Sequence, residues 1–371
     1  MKGLIDSTLR EGEQTPGVYF SHDDRIRIAD LLLRTGIEEI ELGIVTAGNQ
    51  ELKRLITQVR SRRDNSGQTT RLALWCRCRE ADLSFAAKLQ PDVLSLSLPV
   101  SDLHIRKKCA RSRKWVLKRA TISIGRALEA GIPYVSLGLE DAGRADPDFI
   151  AQVVETAGRA KAHRIRFADT VGLLTPMEIC SHMKNLKEIT DLEIGLHAHN
   201  DFGMATANTI SALQQGADWA DVTVLGLGER AGNARLEEVA GFLSLRKNPS
   251  RYRTEHFRHL CRTVAEAADM IIDPGHPVVG SAIFTCETGL HLQGLFKDPS
   301  TYEPYSPDLV NADRALLLGS KSGCNAVRAH CRALGCDLSG LEAENLTRKI
   351  RKLAAEKKRP LGNEEIRQLV G

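Results

Sequence analysis

Short apolar runs alternate with longer amphipathic stretches over the first 250 residues of the chain. The short runs are rich in Ile, Val and Leu, which is typical of buried parallel strands. The longer stretches repeat apolar residues at helical spacing, and Ser21 and Thr175 stand where helix N-caps are expected. The pattern predicts strands at 3–6, 37–42, 71–75, 93–98, 134–139, 164–168, 193–197 and 221–225, and helices at 22–35, 47–62, 79–88, 112–130, 147–161, 176–188, 203–215 and 233–246.

These elements form eight consecutive strand–helix units. Units this short require right-handed βα crossovers, and eight of them in roughly 250 residues are typical of a (β/α)8 TIM barrel. The alternative is a doubly wound sheet, which more often has about five or six units. No Gly-rich GxGxxG turn follows the first strand, which favours the barrel.

The strand–helix rhythm ends near residue 250. A helical pattern covers 254–270, a Pro- and Gly-rich loop follows, and helical periodicity returns over 325–371. We therefore predict a TIM-barrel catalytic domain at 1–255, followed by C-terminal, mainly helical subdomains at 256–371.

Composition is ordinary for a soluble globular protein, and the net charge of +4 is too small to indicate a nucleic-acid partner. Two basic stretches, 106–119 and 349–359, fit solvated helix faces or a site for an anionic ligand such as a phosphorylated cofactor. No apolar run approaches the roughly 20 residues that span a bilayer, and no secretory signal opens the chain. With nine scattered cysteines and no CxxC pair, a cytoplasmic enzyme with reduced thiols and no membrane partner is expected.

Polar residues follow almost every predicted strand. Barrel active sites lie at the carboxyl ends of the strands, so this pattern predicts a ligand-binding rim. Taken singly, each residue also fits a loop cap or a structural hydrogen bond. The set comprises Thr8, Arg10, Glu11, Gln14, Cys76, Arg77, Ser101, Asp102, Glu140, Asp141, Asp169, Thr170, His197, His199, Asn200, Asp201, Glu229, Arg230 and Asn233.

His197 and His199 are the strongest candidates for chemistry in this set. Residues two apart at the end of a strand point the same way and can bind one ion. Glu11 follows the first strand, near strand seven across strand eight, and Asn233 could add an amide oxygen. Such a nitrogen and oxygen set suits Zn²⁺, Mn²⁺, Co²⁺ or Fe²⁺, and Mg²⁺ less well. A lone histidine at a strand end would more often be structural.

Three motifs resemble the signatures of the α-isopropylmalate/homocitrate synthase family. They are Asp6-Ser7-Thr8-Leu9-Arg10-Glu11-Gly12-Glu13-Gln14, Leu196-His197-Ala198-His199-Asn200-Asp201-Phe202-Gly203-Met204-Ala205, and Gly226-Leu227-Gly228-Glu229-Arg230-Ala231-Gly232-Asn233. The resemblance implies a TIM-barrel, metal-dependent acyltransferase. Such an enzyme condenses acetyl-CoA with a 2-oxo acid and hydrolyses the thioester.

The resemblance also implies roles for individual residues. Glu11, His197 and His199 would bind the metal, with Asn233 in or next to the ligand set. The other implied roles are as follows: Arg10 and Gln14 at the 2-oxo acid, Thr170 at its carboxylate, His291 and Tyr302 as the base for the acetyl group, and Glu140 as the carboxylate that completes the proton relay. A homodimer is also implied, in which His291 could act on the partner's barrel.

Leu74-Trp75-Cys76-Arg77 and Ser95–Asp102 most resemble the homocitrate synthases of nitrogen fixation, whose oxo acid is 2-oxoglutarate. A diacid needs a cation for its second carboxylate, and Arg77, Arg106 and Lys108 are the candidates. Gly195 stands where lysine-pathway homocitrate synthases carry a carboxylate, which speaks against that type.

Other members of the family stay open as alternatives. They include synthases of isopropylmalate, citramalate or a phosphono analogue and, in another class, metal-dependent lyases or aldolases on the same barrel. The chain ends at Gly371, so we expect no additional regulatory domain for leucine or isoleucine.

Overall fold

Eight parallel strands close on one another in chain order, because β1 pairs with both β2 and β8. The structure, a computed structural model, describes residues 1–247 and 251–370. The strands are β1 (Gly3–Asp6), β2 (Glu39–Val45), β3 (Arg71–Arg77), β4 (Val93–Pro99), β5 (Val135–Glu140), β6 (Arg164–Asp169), β7 (Glu193–Ala198) and β8 (Trp219–Val222). The predicted (β/α)8 TIM barrel is confirmed.

The helices follow the strands as predicted. They are α1 (His22–Thr35), α2 (Gln50–Asn65), α3 (Glu80–Leu89), α4 (Arg113–Glu129), α5 (Pro147–Arg159), α6 (Pro176–Ile189), α7 (Ala205–Gln214) and α8 (Leu236–Gly241), with α9 (Phe257–Ala267) beyond. Ser21 caps α1 and Thr175 caps α6, each in a reciprocal capping box that satisfies free N–H groups. Within the described residues, we find no helix with both the length and the apolar character needed to cross a membrane.

The predicted bounds of the eighth unit are wrong. The strand predicted at 221–225 ends at Val222, and the helix predicted at 233–246 begins at Leu236. Leu225 has a φ of 57° and lies in a tight turn, where the Thr223 hydroxyl donates to the Leu227 carbonyl at 2.6 Å. The apolar sequence from 222 to 225 continues the strand pattern, but this backbone conformation cannot extend a strand.

The chain divides into two compact units, Met1–Ile272 and Asp273–Gly371. The first unit includes α9, whereas the sequence analysis placed the boundary at 255. The division into a catalytic domain at 1–255 and C-terminal subdomains at 256–371 stays a prediction. The second contains two short paired strands, β9 (Thr285–Cys286) and β10 (Ala315–Leu316). Its helices are α10 (Gly289–Lys297), α11 (Cys324–Ala333), α12 (Gly340–Lys357) and α13 (Asn363–Val370). The last three helices share a small apolar core, which confirms a mainly helical C-terminal part.

The interior of the barrel holds buried charges in two layers. The lower layer consists of Glu39, Arg71, Tyr134, Arg164 and Trp219. Arg164 on β6 donates to both carboxylate oxygens of Glu39 on β2, at 2.7 and 3.1 Å. Because β2 and β6 are not neighbours in the sheet, this ion pair must cross the barrel interior.

The upper layer has three members that lie two residues beyond lower-layer residues on the same strands, β2, β6 and β8. It consists of Arg10, Glu41, Arg166, Asp221 and His197, all less than a tenth exposed. Arg166 donates to Glu41 at 3.0 Å, again from β6 to β2. The upper layer is therefore nearer the carboxyl ends of the strands, where barrels bind their substrates.

Candidate active site

Glu11, His197 and His199 converge at the carboxyl end of the barrel. One ligand atom from each lies within 4.8 Å of the others, and all three residues are buried. A carboxylate oxygen of Glu11 is 3.4 Å from Nε2 of His199, and the other is 3.9 Å from Nε2 of His197. The structure therefore brings together the three side chains that the sequence analysis predicted to share an ion.

Local backbone geometry explains how Glu11 reaches the histidines. After β1, the Ser7 carbonyl accepts hydrogen bonds from the N–H groups of Arg10, Glu11 and Gly12, at 2.7 to 3.1 Å. This tight turn directs Arg10 and Glu11 over the end of the barrel. Thr8 joins the turn to the loop after β8, because its hydroxyl oxygen accepts from the backbone N–H of Val224 at 2.8 Å.

An acceptor oxygen lies beside Nδ1 of each imidazole and favours the tautomer with the proton on Nδ1, although Nη2 of Arg166 also lies 3.3 Å from Nδ1 of His197. Nδ1 of His197 donates to Asp221 at 2.6 Å, and Nδ1 of His199 donates to the Asp169 carbonyl at 3.3 Å. Both Nε2 lone pairs are then available on the side facing Glu11. Burial lowers the pKa of each imidazole, and the charge of Arg166 lowers that of His197 further. Both rings therefore stay neutral near pH 7, as a metal ligand requires.

Asn233 supplies a buried acceptor beside this cluster. Its backbone pairs with that of His199 in an antiparallel bridge, and its Nδ2 donates to the Leu227 carbonyl at 3.0 Å. Its Oδ1 is buried and has no hydrogen-bond partner among the described residues. Two neutral imidazoles, one carboxylate and one free amide oxygen fit a divalent cation such as Mg²⁺, Mn²⁺, Zn²⁺, Co²⁺ or Fe²⁺.

A cavity of about 490 Å³ opens above this cluster. Ten of the residues singled out in the sequence analysis line it: Arg10, Glu11, Gln14, Lys108, Glu140, Thr170, His197, His199, Glu229 and Arg230. Thr170 accepts the N–H of Asp141 at 2.8 Å, so its own hydroxyl proton is left to donate elsewhere. About half of the predicted polar rim therefore lines one cavity.

Arg77 and Arg106, predicted to bind a second substrate carboxylate, do not line this cavity. Arg77 ends β3 and turns toward α3, where its Nε donates to Asp82 at 3.0 Å. The Arg106 side chain is 72% exposed and lies 3.4 Å from Asp102. Position after a strand was the only basis for both predictions, and it does not decide which way a long side chain points.

The sequence analysis missed two cavity residues, Arg166 and His104. Nδ1 of His104 lies 2.7 Å from Glu140, which also accepts from Lys108 at 2.5 Å. Because His104 and Lys108 are four apart on one helical turn, their spacing could have indicated a shared partner. Arg164 and Arg166 alternate in a buried strand, which could have indicated charges inside the barrel.

His291 and Tyr302 lie together in the second unit. Their ring centroids are 4.3 Å apart, and the Thr288 hydroxyl lies 2.8 Å from Nδ1 of His291. Both residues are exposed within the described part of the chain. The two motifs that the sequence analysis paired by resemblance therefore meet in space.

Known families match both units. The HMGL-like family matches residues 3–264, and the homocitrate synthase post-HMGL domain-like family matches residues 278–358. By structure, the HMG-CoA lyase of Bacillus subtilis superposes with a TM-score of 0.63 at 20% identity, covering 73% of this chain and 95% of that one. At that identity the likeness shows a shared fold.

Three relatives with different names are similar over most of their length. A 2-isopropylmalate synthase of Caldanaerobacter subterraneus is 38% identical over 367 residues, covering 99% of this chain and 94% of that one. A homocitrate synthase of Frankia alni is 40% identical over 328 residues, covering 88% and 91%. A chain of Archaeoglobus fulgidus named as an (R)-citramalate synthase is 35% identical over 358 residues, covering 96% and 72%. The chain therefore belongs to the HMGL-like family, as an enzyme of its group of homocitrate, isopropylmalate and citramalate synthases.

Proposed function

We propose that the protein is a homocitrate synthase, which condenses acetyl-CoA with 2-oxoglutarate and water to give homocitrate and CoA. The observation that carries the reaction class is the buried group of Glu11, His197 and His199 at the open end of the barrel, with Arg10 beside it. The choice of homocitrate synthase is supported by the family match over residues 278–358 and by the Frankia alni relative.

Glu11, His197 and His199 would hold a divalent cation, and the free Oδ1 of Asn233 could complete the set. Such a cation acts as a Lewis acid that polarises the carbonyl of a chelated 2-oxo acid. Arg10 lines the same cavity and is held by ion pairs to Glu11 and Glu41. Its guanidinium would stabilise the negative charge that develops on the oxo oxygen during carbon–carbon bond formation.

The remaining cavity residues would orient the substrate. The Thr170 hydroxyl can donate to the carboxylate next to the oxo group, and Gln14 lies on the same wall. Arg77 and Arg106 are not retained for the second carboxylate, because neither lines the cavity. Lys108, the third candidate for that carboxylate, does line the cavity, and both Lys108 and His104 contact Glu140.

We propose His291 and Tyr302 as the pair that removes a proton from the acetyl methyl group. Thr288 contacts Nδ1 of His291, so Nε2 is the nitrogen left for the proton. The resulting carbon nucleophile adds to the ketone carbon, and the oxo oxygen takes up a proton as the alcohol. Water then cleaves the thioester, which releases the CoA thiol and leaves the third carboxylate of homocitrate. Glu140 is proposed as the relay carboxylate.

The proposal also includes a cytoplasmic homodimer and a role in supplying homocitrate for nitrogen fixation. Both rest on the resemblance to homocitrate synthases of that type. The dimer can be tested by light scattering of the purified full-length chain.

A second candidate is a synthase for a less polar 2-oxo acid. Trp75, Leu96 and Val171 line the cavity, and these side chains would suit the branched chain of 2-oxoisovalerate or the methyl group of pyruvate. The 2-isopropylmalate synthase relative is as similar as the homocitrate synthase.

A panel of oxo acids separates the two candidates. Purified full-length protein with Mn²⁺ and acetyl-CoA would receive 2-oxoglutarate, 2-oxoisovalerate or pyruvate, and release of free CoA thiol would be followed. We expect the highest kcat/KM with 2-oxoglutarate, with homocitrate identified by mass spectrometry. Turnover of 2-oxoisovalerate or pyruvate, but not 2-oxoglutarate, would contradict homocitrate synthase and support the second candidate. A reaction mixture without oxo acid controls for thioester hydrolysis.

A further inference from the structure

We infer that Arg166 is a positioning residue that fixes the orientation of the Arg10 and His197 side chains relative to each other. The inference rests on the proposed function, because it takes His197 as a metal ligand and Arg10 as the oxo-acid arginine. Arg166 is buried on β6 and lies between two carboxylates of the upper layer, Glu41 and Asp221. Each carboxylate in turn contacts one of the two functional side chains.

The first branch runs from Arg166 to Arg10 through Glu41. Nη1 of Arg166 donates to one carboxylate oxygen of Glu41 at 3.0 Å, and Nε of Arg10 donates to the other at 2.5 Å. Ser7 also donates to Glu41 at 2.7 Å. Glu41 therefore has both oxygens occupied, and its orientation depends on the two guanidinium groups.

The second branch runs from Arg166 to His197 through Asp221. Nη2 of Arg166 forms an ion pair with Oδ2 of Asp221, and the same oxygen accepts from Nδ1 of His197 at 2.6 Å. Nη2 of Arg166 also lies 3.3 Å from Nδ1 of His197 itself. The other oxygen, Oδ1, is buried without a partner among the described residues. Asp221 is therefore held through one oxygen only, and Arg166 is the cation that orients it toward the imidazole.

Both branches need a planar group that donates in two directions. The guanidinium of Arg166 reaches Glu41 and Asp221 with different nitrogens, whereas a lysine ammonium is a point charge on a flexible stem. If only the charge of Arg166 mattered, removing it would strengthen metal binding, because a cation at this place repels a divalent ion. Geometry and charge can therefore be separated by substitution.

Arg164 offers a matched control on the same strand. It is fully buried, forms a two-pronged ion pair with Glu39 and lies two residues before Arg166. Its partners, Glu39 and Ser136, contact neither His197 nor Arg10 in the described hydrogen bonds. Loss of Arg164 should therefore perturb the barrel core without reorienting the proposed ligands.

The test is calorimetric titration of Mn²⁺ into metal-free, full-length protein, so it needs no turnover. Arg166→Lys keeps the charge and should weaken Mn²⁺ binding about 10- to 100-fold, the usual effect of losing a group that orients a ligand. Arg166→Met should also weaken it, although it removes a repulsive charge. Arg164→Lys should leave the affinity at the wild-type value. If the Arg166 variants fail to fold, Asp221→Asn is the second test. It replaces one oxygen of the same branch by an amide nitrogen and should also weaken Mn²⁺ binding.

Wild-type affinity in Arg166→Lys, or tighter binding in Arg166→Met, would overturn the inference and leave the proposed function standing. Weakening of equal size in Arg164→Lys would also overturn it, because a general core defect would then explain the effect. Absence of Mn²⁺ binding in the wild type would overturn both the inference and the proposed metal site.

Discussion

The two charged layers inside the barrel share strands β2, β6 and β8, yet they differ in composition and surroundings. The lower layer is closed by aromatic rings: the guanidinium carbon of Arg71 lies 4.5 Å from the ring centre of Tyr134 and 4.3 Å from that of Trp219. Glu39 accepts from both Arg71 and Arg164. Two arginines therefore share one buried carboxylate, whereas Tyr134 and Trp219 donate to Glu193, outside the layer, at 2.6 and 2.5 Å.

The upper layer opens to the cavity through Arg10, Arg166 and His197. Counted together with Glu11, it has one carboxylate more than it has arginines. Glu41 and Asp221, with Glu11 above them, face the guanidinium groups of Arg10 and Arg166. Burial alone would raise the pKa of Glu41, but these two arginines hold it well below its usual value. The comparison suggests that the lower layer stabilises the barrel, whereas the upper layer is arranged for a bound cation and its substrate.

The largest expected effect is at the metal ligands. We expect His197→Ala to lower kcat/KM about ten-thousandfold, or about 5.5 kcal/mol in transition-state stabilisation. It should also remove bound metal, as measured by plasma mass spectrometry of the dialysed protein. His259→Ala, an exposed histidine on α9, is the matched control and should leave both values unchanged. Full turnover and metal content in His197→Ala would refute the proposed ligand set.

A buried carboxylate outside both layers should make stability depend on pH. Asp6 has no arginine partner among the described ion pairs, and burial raises its pKa to about 7. Because the unfolded chain ionises near 3.8, the folded state should lose about 4 kcal/mol of stability as pH rises from about 4 to 7. Urea unfolding at several pH values measures this slope.

Asp6→Asn should reduce the pH-dependent loss by about 4 kcal/mol, and the rest should persist because burial also raises the pKa of Asp221 to about 6. Asp23→Asn, in the exposed first turn of α1, should leave the loss unchanged. An identical slope in wild type and Asp6→Asn would show that Asp6 ionises normally inside the fold.

The lower layer should affect stability more than chemistry. We expect Arg164→Met to destabilise the protein by about 3 kcal/mol, because it leaves a buried carboxylate with one partner fewer. Arg71 still contacts Glu39 at 2.7 Å, so we place the cost at the low end of the usual range. At temperatures where the variant stays folded, kcat should match the wild type. A large fall in kcat without a fall in the urea midpoint would contradict the division between the layers.

The smallest effect on stability is expected at the solvent-exposed ion pair of Lys108 and Glu140. The Lys108 side chain is 59% exposed and lies 2.5 Å from Glu140. Such pairs usually contribute about 0–1 kcal/mol, so Lys108→Met should shift the urea midpoint only slightly. A destabilisation as large as that of Arg164→Met would mean that burial does not determine how much an ion pair contributes to the stability of this protein.

Most of the barrel could be predicted because strand and helix periodicities recur in every unit. The prediction failed at β8, where an apolar run continues into a turn that only backbone geometry reveals. The ligand cluster was also predictable, since His197 and His199 share a strand end and Glu11 follows a neighbouring part of the closed barrel.

The ionic layers could not be predicted with the same rules. Arg166 and Glu41 are 125 residues apart and on strands that do not pair, so they meet only because the barrel closes. Arg77 and Arg106 illustrate the opposite case. Both come at or after the end of a strand, as active-site residues of a barrel do. Each forms an ion pair with a nearby carboxylate, Asp82 or Asp102, and does not line the cavity.

The most direct test of the central claim is an anomalous difference map from crystals of the protein soaked in Mn²⁺. We expect one strong peak at roughly metal–ligand distance, about 2.0–2.3 Å, from Glu11 and from Nε2 of His197 and His199. A peak elsewhere, or no peak at this cluster in crystals of protein that turns over acetyl-CoA, would contradict the proposed metal site.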